Sequence, residues 1–171
     1  MSEPLHPEET VVTTTPYTGN AERRAADRSA ITEVLHRYAN LAVENADFDF
    51  MGKTLFTEDG VFVLPDGRAV PRTESHQILG GTGPTLIRHH ITTIDIEFIS
   101  DDEASADSFF MALTDLAQPD HWGRWHDSLR RQDDGRWLLT SKEPIADGFA
   151  PHGWLGSVLL KNRPAMEPGR S

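Results

Sequence analysis

Ile31, Val34, Leu35, Tyr38, Leu41 and Ala42 recur at intervals of three and four residues, so they share one side of a helix. The spacing predicts a long helix over about 27–45, with Asp27 or Ser29 able to cap its start. Asp47 can cap a second, short helix whose buried side is Phe50, Met51, Leu55 and Phe56. Thr57-Glu58-Asp59-Gly60 reads as the turn that leaves it.

Beyond that turn the pattern shortens to strands. Residues 61–64 are apolar, and Pro65-Asp66-Gly67 is a hairpin signal leading to a short return strand. A helix is expected over 73–79, before Gly80-Gly81-Thr82-Gly83-Pro84 breaks the chain. Residues 86–99 form a long strand in which Ile94, Ile96 and Phe98 alternate with Asp95 and Glu97. Acidic residues 100–103 turn it into a second strand over 104–116, and Gln118-Pro119-Asp120 turns that into a third over 121–131. Asp133-Asp134-Gly135 makes the next hairpin, and 136–142 is the closing strand. From Pro144 onward, Gly and Pro accompany Phe149, Trp154, Leu155 and Leu159, which reads as an arm packed on the body.

Helices followed by hairpin-connected strands give an α+β layout. The expected form is a cone: a curved, mainly antiparallel sheet wrapped around the N-terminal helices, apolar at its closed end and open at its mouth. The domain plan is a polar tail over 1–20, the cone over 21–144 and the arm over 145–171. The tail has no basic start followed by an apolar stretch, so it is not expected to act as a signal peptide.

Composition narrows the partners. With 16 Lys and Arg against 27 Asp and Glu, the formal net charge is −11. That argues against non-specific affinity for nucleic acid or for anionic membranes, which need clustered cations. No apolar run approaches the ~20 residues of a membrane helix, so a cytoplasmic protein is the expectation. The absence of cysteine removes thiolate chemistry and disulfides.

Several short motifs together resemble the SnoaL-like family of the nuclear-transport-factor-like cone superfamily. They are Ile31-Thr32-Glu33-Val34-Leu35-His36-Arg37-Tyr38-Ala39, Leu55-Phe56-Thr57-Glu58-Asp59-Gly60 and Arg88-His89-His90-Ile91-Thr92, with Gly123-Arg124-Trp125-His126-Asp127 and Asp134-Gly135-Arg136-Trp137 closing the sheet. The resemblance implies dehydratases, dehydrochlorinases, isomerases and cyclases that transfer protons in a dry pocket without metal or cofactor. It implies a small-molecule substrate and a homodimer or homotrimer. In dehydratase and dehydrochlorinase members an aspartate late on the first helix pairs with a histidine at the start of a long strand. The histidine matches His89, but the aspartate position falls on Val43. Glu44 would point about a quarter-turn away on a helix.

His89 and His90 cannot both face inward on a regular strand. Alternation aligns His90 with Thr92, Ile94, Ile96 and Phe98, whereas the resemblance selects His89; a bulge would reconcile them. His121, Trp125 and Asp127 share one face, while His121 and His126 oppose each other, so no metal site is expected. The candidate catalytic residues are therefore His89, Tyr38 and Asp127. Phe62, His90, Phe110, His121 and Trp125 are candidates for substrate contact. The leading reading is a cofactor-independent lyase, isomerase or cyclase acting on a small, mostly apolar molecule. The alternative is a binding or assembly module that lost the acid at position 43.

Overall fold

Helix α1 (Ala21–Leu41) lays Ile31, Leu35 and Tyr38 against a sheet and leaves its other side to water. The computed structural model describes residues 21–64, 67–77 and 83–161. The expected tail over 1–20, the Pro65-Asp66 hairpin tip and residues 78–82 lie outside the described residues. After α1 come α2 (Phe48–Leu55), β1 (Phe56–Val63), β2 (Ala69–Pro71) and a 3₁₀ turn over Arg72–Gln77. The long strands β3 (Ile87–Phe98), β4 (Glu103–Thr114), β5 (His121–Arg131) and β6 (Trp137–Phe149) follow, and α3 (Trp154–Lys161) comes last.

The six strands form one sheet in the order β2-β1-β6-β5-β4-β3, antiparallel except where β1 runs parallel to β6. One face packs on α1 and α2, giving the α+β cone. Its core is Ile31, Leu35, Phe56, Phe62, Trp125, Leu129, Trp137 and Leu139, all nearly inaccessible.

Local chemistry explains where the elements begin and end. Asp47 caps α2 by accepting from the Phe50 amide at 2.9 Å. Asp27 does not cap α1. It lies inside the helix, buried, and its carboxylate accepts the Trp137 indole N–H at 2.9 Å. The helix extends back because Ala21-Glu22-Arg23-Arg24-Ala25-Ala26 are good helix formers. It ends at Leu41, before a turn in which Asn45 takes the left-handed conformation with φ 58°.

Four further expectations need correction. Phe50 is half exposed, because the buried side of α2 is filled by Met51 and Leu55. Phe56 to Gly60 belong to β1, whose pairing with β6 slips between Phe56 and Val61, so a turn-like composition sits in an irregular strand. The helix expected over 73–79 is the short 3₁₀ turn. The closing strand runs past Pro144 to Phe149, and the segment after it forms α3.

Two register slips decide which side chains enter the cone. Between Ile91 and Ile94, β3 carries one residue more than β4. Ile87, His89 and Ile91 therefore face inward before the slip, and Ile94, Ile96 and Phe98 after it. Between Ser128 and Leu129, β6 gains a residue against β5. Trp137 and Leu139 face inward before that slip and Lys142 after it.

Candidate functional site

The turn after α1, residues 83–85, the start of β3 and Trp154 of α3 enclose a cavity of about 730 Å³. Tyr38, Ala42, Val43, Phe48, Ile87 and His89 line it, with Glu44, Asp47 and Asp49 also on its wall. The volume lies in the range of ordinary small-molecule sites, roughly 300–1,000 Å³.

His89 reaches the wall because the bulge in β3 turns the first half of the strand inside. Its Nδ1 lies 2.9 Å from the Ala42 carbonyl oxygen. A carbonyl only accepts, so Nδ1 carries the proton and Nε2 is the acceptor of the neutral ring. The last carbonyls of a helix lack partners within it, and the end of α1 thus supplies the group that orients this imidazole. Burial lowers the His89 pKa to about 4; the Ala42 bond opposes that change, and His121, Lys142 and His90 deepen it. At neutral pH the ring is uncharged. The rings of Trp125, Phe110 and His121 stand 5.5, 6.0 and 6.0 Å from it.

Tyr38, in the last turn of α1, is buried against Trp125 and Phe62. Burial, then the nearby charge of Asp127, pushes its phenol pKa up, so its hydroxyl stays protonated and can donate. Val43 lines the cavity at the place where the resemblance has an aspartate. Glu44 does not take over that role. Its carboxylate accepts from both terminal nitrogens of Arg88 and from the Ile87 amide, which ties the end of α1 to the start of β3. The Arg88 bond, foremost, holds its pKa down to about 2.

Asp127 is placed differently from the expectation. It is fully buried, and both its oxygens lie 3.1 Å from Nζ of Lys142, also fully buried. The ammonium sits 3.8 Å over the Trp125 ring and 4.1 Å over Tyr38. Burial pushes the Asp127 carboxyl up and the Lys142 ammonium down, while their mutual attraction opposes both changes. With its oxygens committed beneath the floor, Asp127 is not an acid or base of the cavity.

His90 is a second correction. It faces the exposed side of the sheet, because the bulge comes after it and not before. Phe62, Phe110 and Trp125 are core residues behind Tyr38 and His89, where they fix those rings and do not form the cavity wall.

His121 is buried, with its ring 5.9 Å from that of Trp154. Its Nδ1 lies 2.9 Å from Oδ1 of Asp120, a residue that reads in the sequence only as part of a turn. Asp120 also accepts from the Thr114 hydroxyl and from the Trp154 and Leu155 amides. Burial raises its pKa, but the bonds from His121, Leu155, Thr114 and Trp154 together hold it below the ordinary value. Lys142 and Asp120 are thus the groups that sequence reasoning missed. Among the described residues no three His, Asp or Glu side chains are grouped to hold a metal ion, and no helix is long and apolar enough to cross a membrane.

A family model described as a SnoaL-like domain matches residues 23–143, well over half of the chain. No curated protein sequence matches. Among solved structures, a hexachlorocyclohexane dehydrochlorinase, LinA-type3 from Novosphingobium barchaimii, is similar with a TM-score of 0.65 at 14% identity, over 77% of this chain and 93% of that one. A putative scytalone dehydratase from Novosphingobium aromaticivorans gives 0.60 at 21%, over 77% and 91%. ActVI-ORFA from Streptomyces coelicolor gives 0.58 at 25%, over 71% and 98%. Two of these neighbours are thus named for enzymatic activities on small molecules.

Proposed function

Because the chain belongs to the SnoaL-like family, we propose that it is a cofactor-independent lyase, isomerase or cyclase that moves a proton on a small, mostly apolar organic molecule. A natural-product or catabolic intermediate fits this description. The observation that carries the reading is His89: an uncharged imidazole on a cavity wall, its Nδ1–H fixed by the Ala42 carbonyl and its Nε2 left as acceptor.

In the proposed step Nε2 takes a proton from carbon. The electron pair left behind moves either into a new C=C bond as a leaving group departs, or onto a carbonyl oxygen that accepts from Tyr38. A base of pKa about 4 suits carbon acids already activated by an adjacent carbonyl or aromatic system, since proton transfer follows the strength of base and acid. The wall beside His89 is largely apolar, and positioning supplies the remaining acceleration.

Proton–deuterium exchange tests this without knowledge of the natural substrate. In D₂O the protein is expected to speed α-exchange of 2-tetralone, an apolar bicyclic ketone, with His89→Ala slower by ~10²–10⁴-fold. Binding of the ketone with no protein-dependent exchange would instead support the second reading, a binding or assembly module. Two observations favour that alternative. Val43 stands where the resemblance has an acid, and Phe109, Met111 and Trp122 are exposed on the outer face, Met111 directly opposite Trp122.

A further inference from the structure

The C-terminal helix is fastened to the site through one carboxylate. Asp120, wholly inaccessible, accepts the first two amides of α3, Trp154 at 2.5 Å and Leu155 at 3.1 Å, while the same group holds Nδ1 of His121 at 2.9 Å. Its own backbone joins the junction: its carbonyl accepts from the Ala150 amide at 2.7 Å, and its amide donates to the Ala112 carbonyl at 2.8 Å. Thr114 adds a hydroxyl at 2.8 Å.

Two glycines make so close an approach feasible. A Cβ at position 153 would lie 2.6 Å from Oδ2 of Asp120, and one at position 156 would lie 2.4 Å from the Ala150 carbonyl oxygen. Gly153-Trp154-Leu155-Gly156 is therefore shaped to bring the start of α3 onto this carboxylate. The same approach sets the Trp154 side chain in the cavity wall, beside the His121 ring.

A carboxylate can only accept, so His121 carries a proton on Nδ1, and in the neutral ring Nε2 is the acceptor. That nitrogen has no hydrogen-bond partner among the described residues, and its ring stands among those of His89, Phe110 and Trp154. Histidines 89 and 121 lie 6.0 Å apart, centroid to centroid. The two differ in what faces their protonated side: His89 meets a neutral carbonyl, His121 an anion. A positive charge on His121 is balanced on the spot.

We propose that Asp120 is a positioning residue which couples α3 to His121, so that docking of the C-terminal helix fixes His121 as a second proton acceptor beside His89. The helix is then a working part of the site, although it lies beyond residues 23–143. This goes beyond the role given to His89. It draws its purpose from proton transfer but is tested without it.

The test uses the full chain labelled with ¹⁵N-histidine, in which long-range ¹H–¹⁵N spectra report each ring's tautomer. Wild type is expected to show Nδ1–H for both His89 and His121. Asp120→Asn keeps a carbonyl oxygen for the Trp154 amide and the Thr114 hydroxyl but turns an NH₂ toward the His121 ring and the Leu155 amide. His121 is expected to switch to Nε2–H while His89 is unchanged. Gly153→Val forces α3 from Asp120 without altering either residue of the pair. Hydrogen exchange at Trp154 and Leu155 should rise by about tenfold or more, and His121 should become a mixture of tautomers. If that variant fails to fold, Gly156→Ala puts the same question more gently. An unchanged His121 tautomer in Asp120→Asn overturns the proposal. So does an unchanged His121 in a glycine variant whose α3 amides exchange freely. Failure of the ketone experiment would sink the enzymatic reading yet leave this result standing, and the reverse also holds.

Discussion

The floor and the wall of the cone handle buried polar groups in opposite ways. Under the floor, Asp127 and Lys142 use each other up: two oxygens on one ammonium, with Tyr38 and Trp125 closing over it. His89 on the wall and His121 behind it, against Trp154, each commit Nδ1 and keep Nε2. Both regions hold buried polar side chains, so burial alone does not mark chemistry. What separates them is a remainder: a site has hydrogen-bonding capacity left over after the protein's own partners are counted, and a structural pair does not.

Removing one partner under the floor tests the closed arrangement and should give the largest effect. Lys142→Ala strands a buried carboxylate, and a loss of ~3–5 kcal/mol in urea unfolding is expected. The double replacement Lys142→Met with Asp127→Leu should recover most of that loss, because apolar side chains need no compensation. A double variant as unstable as the single one would show that the pair is not self-contained.

Acid should act on the wall next. His89 has a folded pKa of about 4 against 6.5 for the free side chain. Between those values the unfolded chain binds more protons, so stability rises with pH through this window and falls as the solution is acidified. The expected loss between pH 6.5 and pH 4 is on the order of 3 kcal/mol, since each tenfold difference in proton affinity between the two states is worth about 1.4 kcal/mol. His89→Gln, which cannot titrate, should flatten that limb of the stability curve. A limb of unchanged slope would mean that His89 is not held neutral by its surroundings.

The smallest effect belongs just outside the wall. His90→Ala should stay within ~0.5 kcal/mol of wild type by urea midpoint, as expected for an exposed strand position. A loss of several kcal/mol would place that ring inside and reverse the assignment of the two histidines.

These residues also show how far the sequence could be read. Strand β5 pairs with β4 without a slip and has no extra residue of its own, and the alternation of His121, Trp125 and Asp127 is the burial pattern found. The cap at Asp47 was equally legible, since it depends on local hydrogen bonding alone. Lys142 was not. Counting by twos from Trp137 and Leu139 sends it outward, and only the extra residue of β6 turns it in. The same arithmetic failed at His90. Asp120 was hidden for another reason: a turn aspartate looks alike in sequence whether it faces water or gathers four donors, and two of its donors come from a helix more than thirty positions away. Register slips and distant partners are tertiary facts, and periodicity carries no trace of them.

The bulge in β3 has a genetic side as well. The inward residues before it, ending at Ile91, and those after it, beginning at Ile94, would fall into one unbroken alternation if a single threonine of Thr92-Thr93 were removed. A codon can thus be lost at this spot without exchanging inside for outside. Almost anywhere else along the strand, the same one-codon change would turn the downstream half over and put its charged residues into the core. The place where a residue can be lost with the alternation kept lies three residues from the histidine on which the proposed chemistry rests.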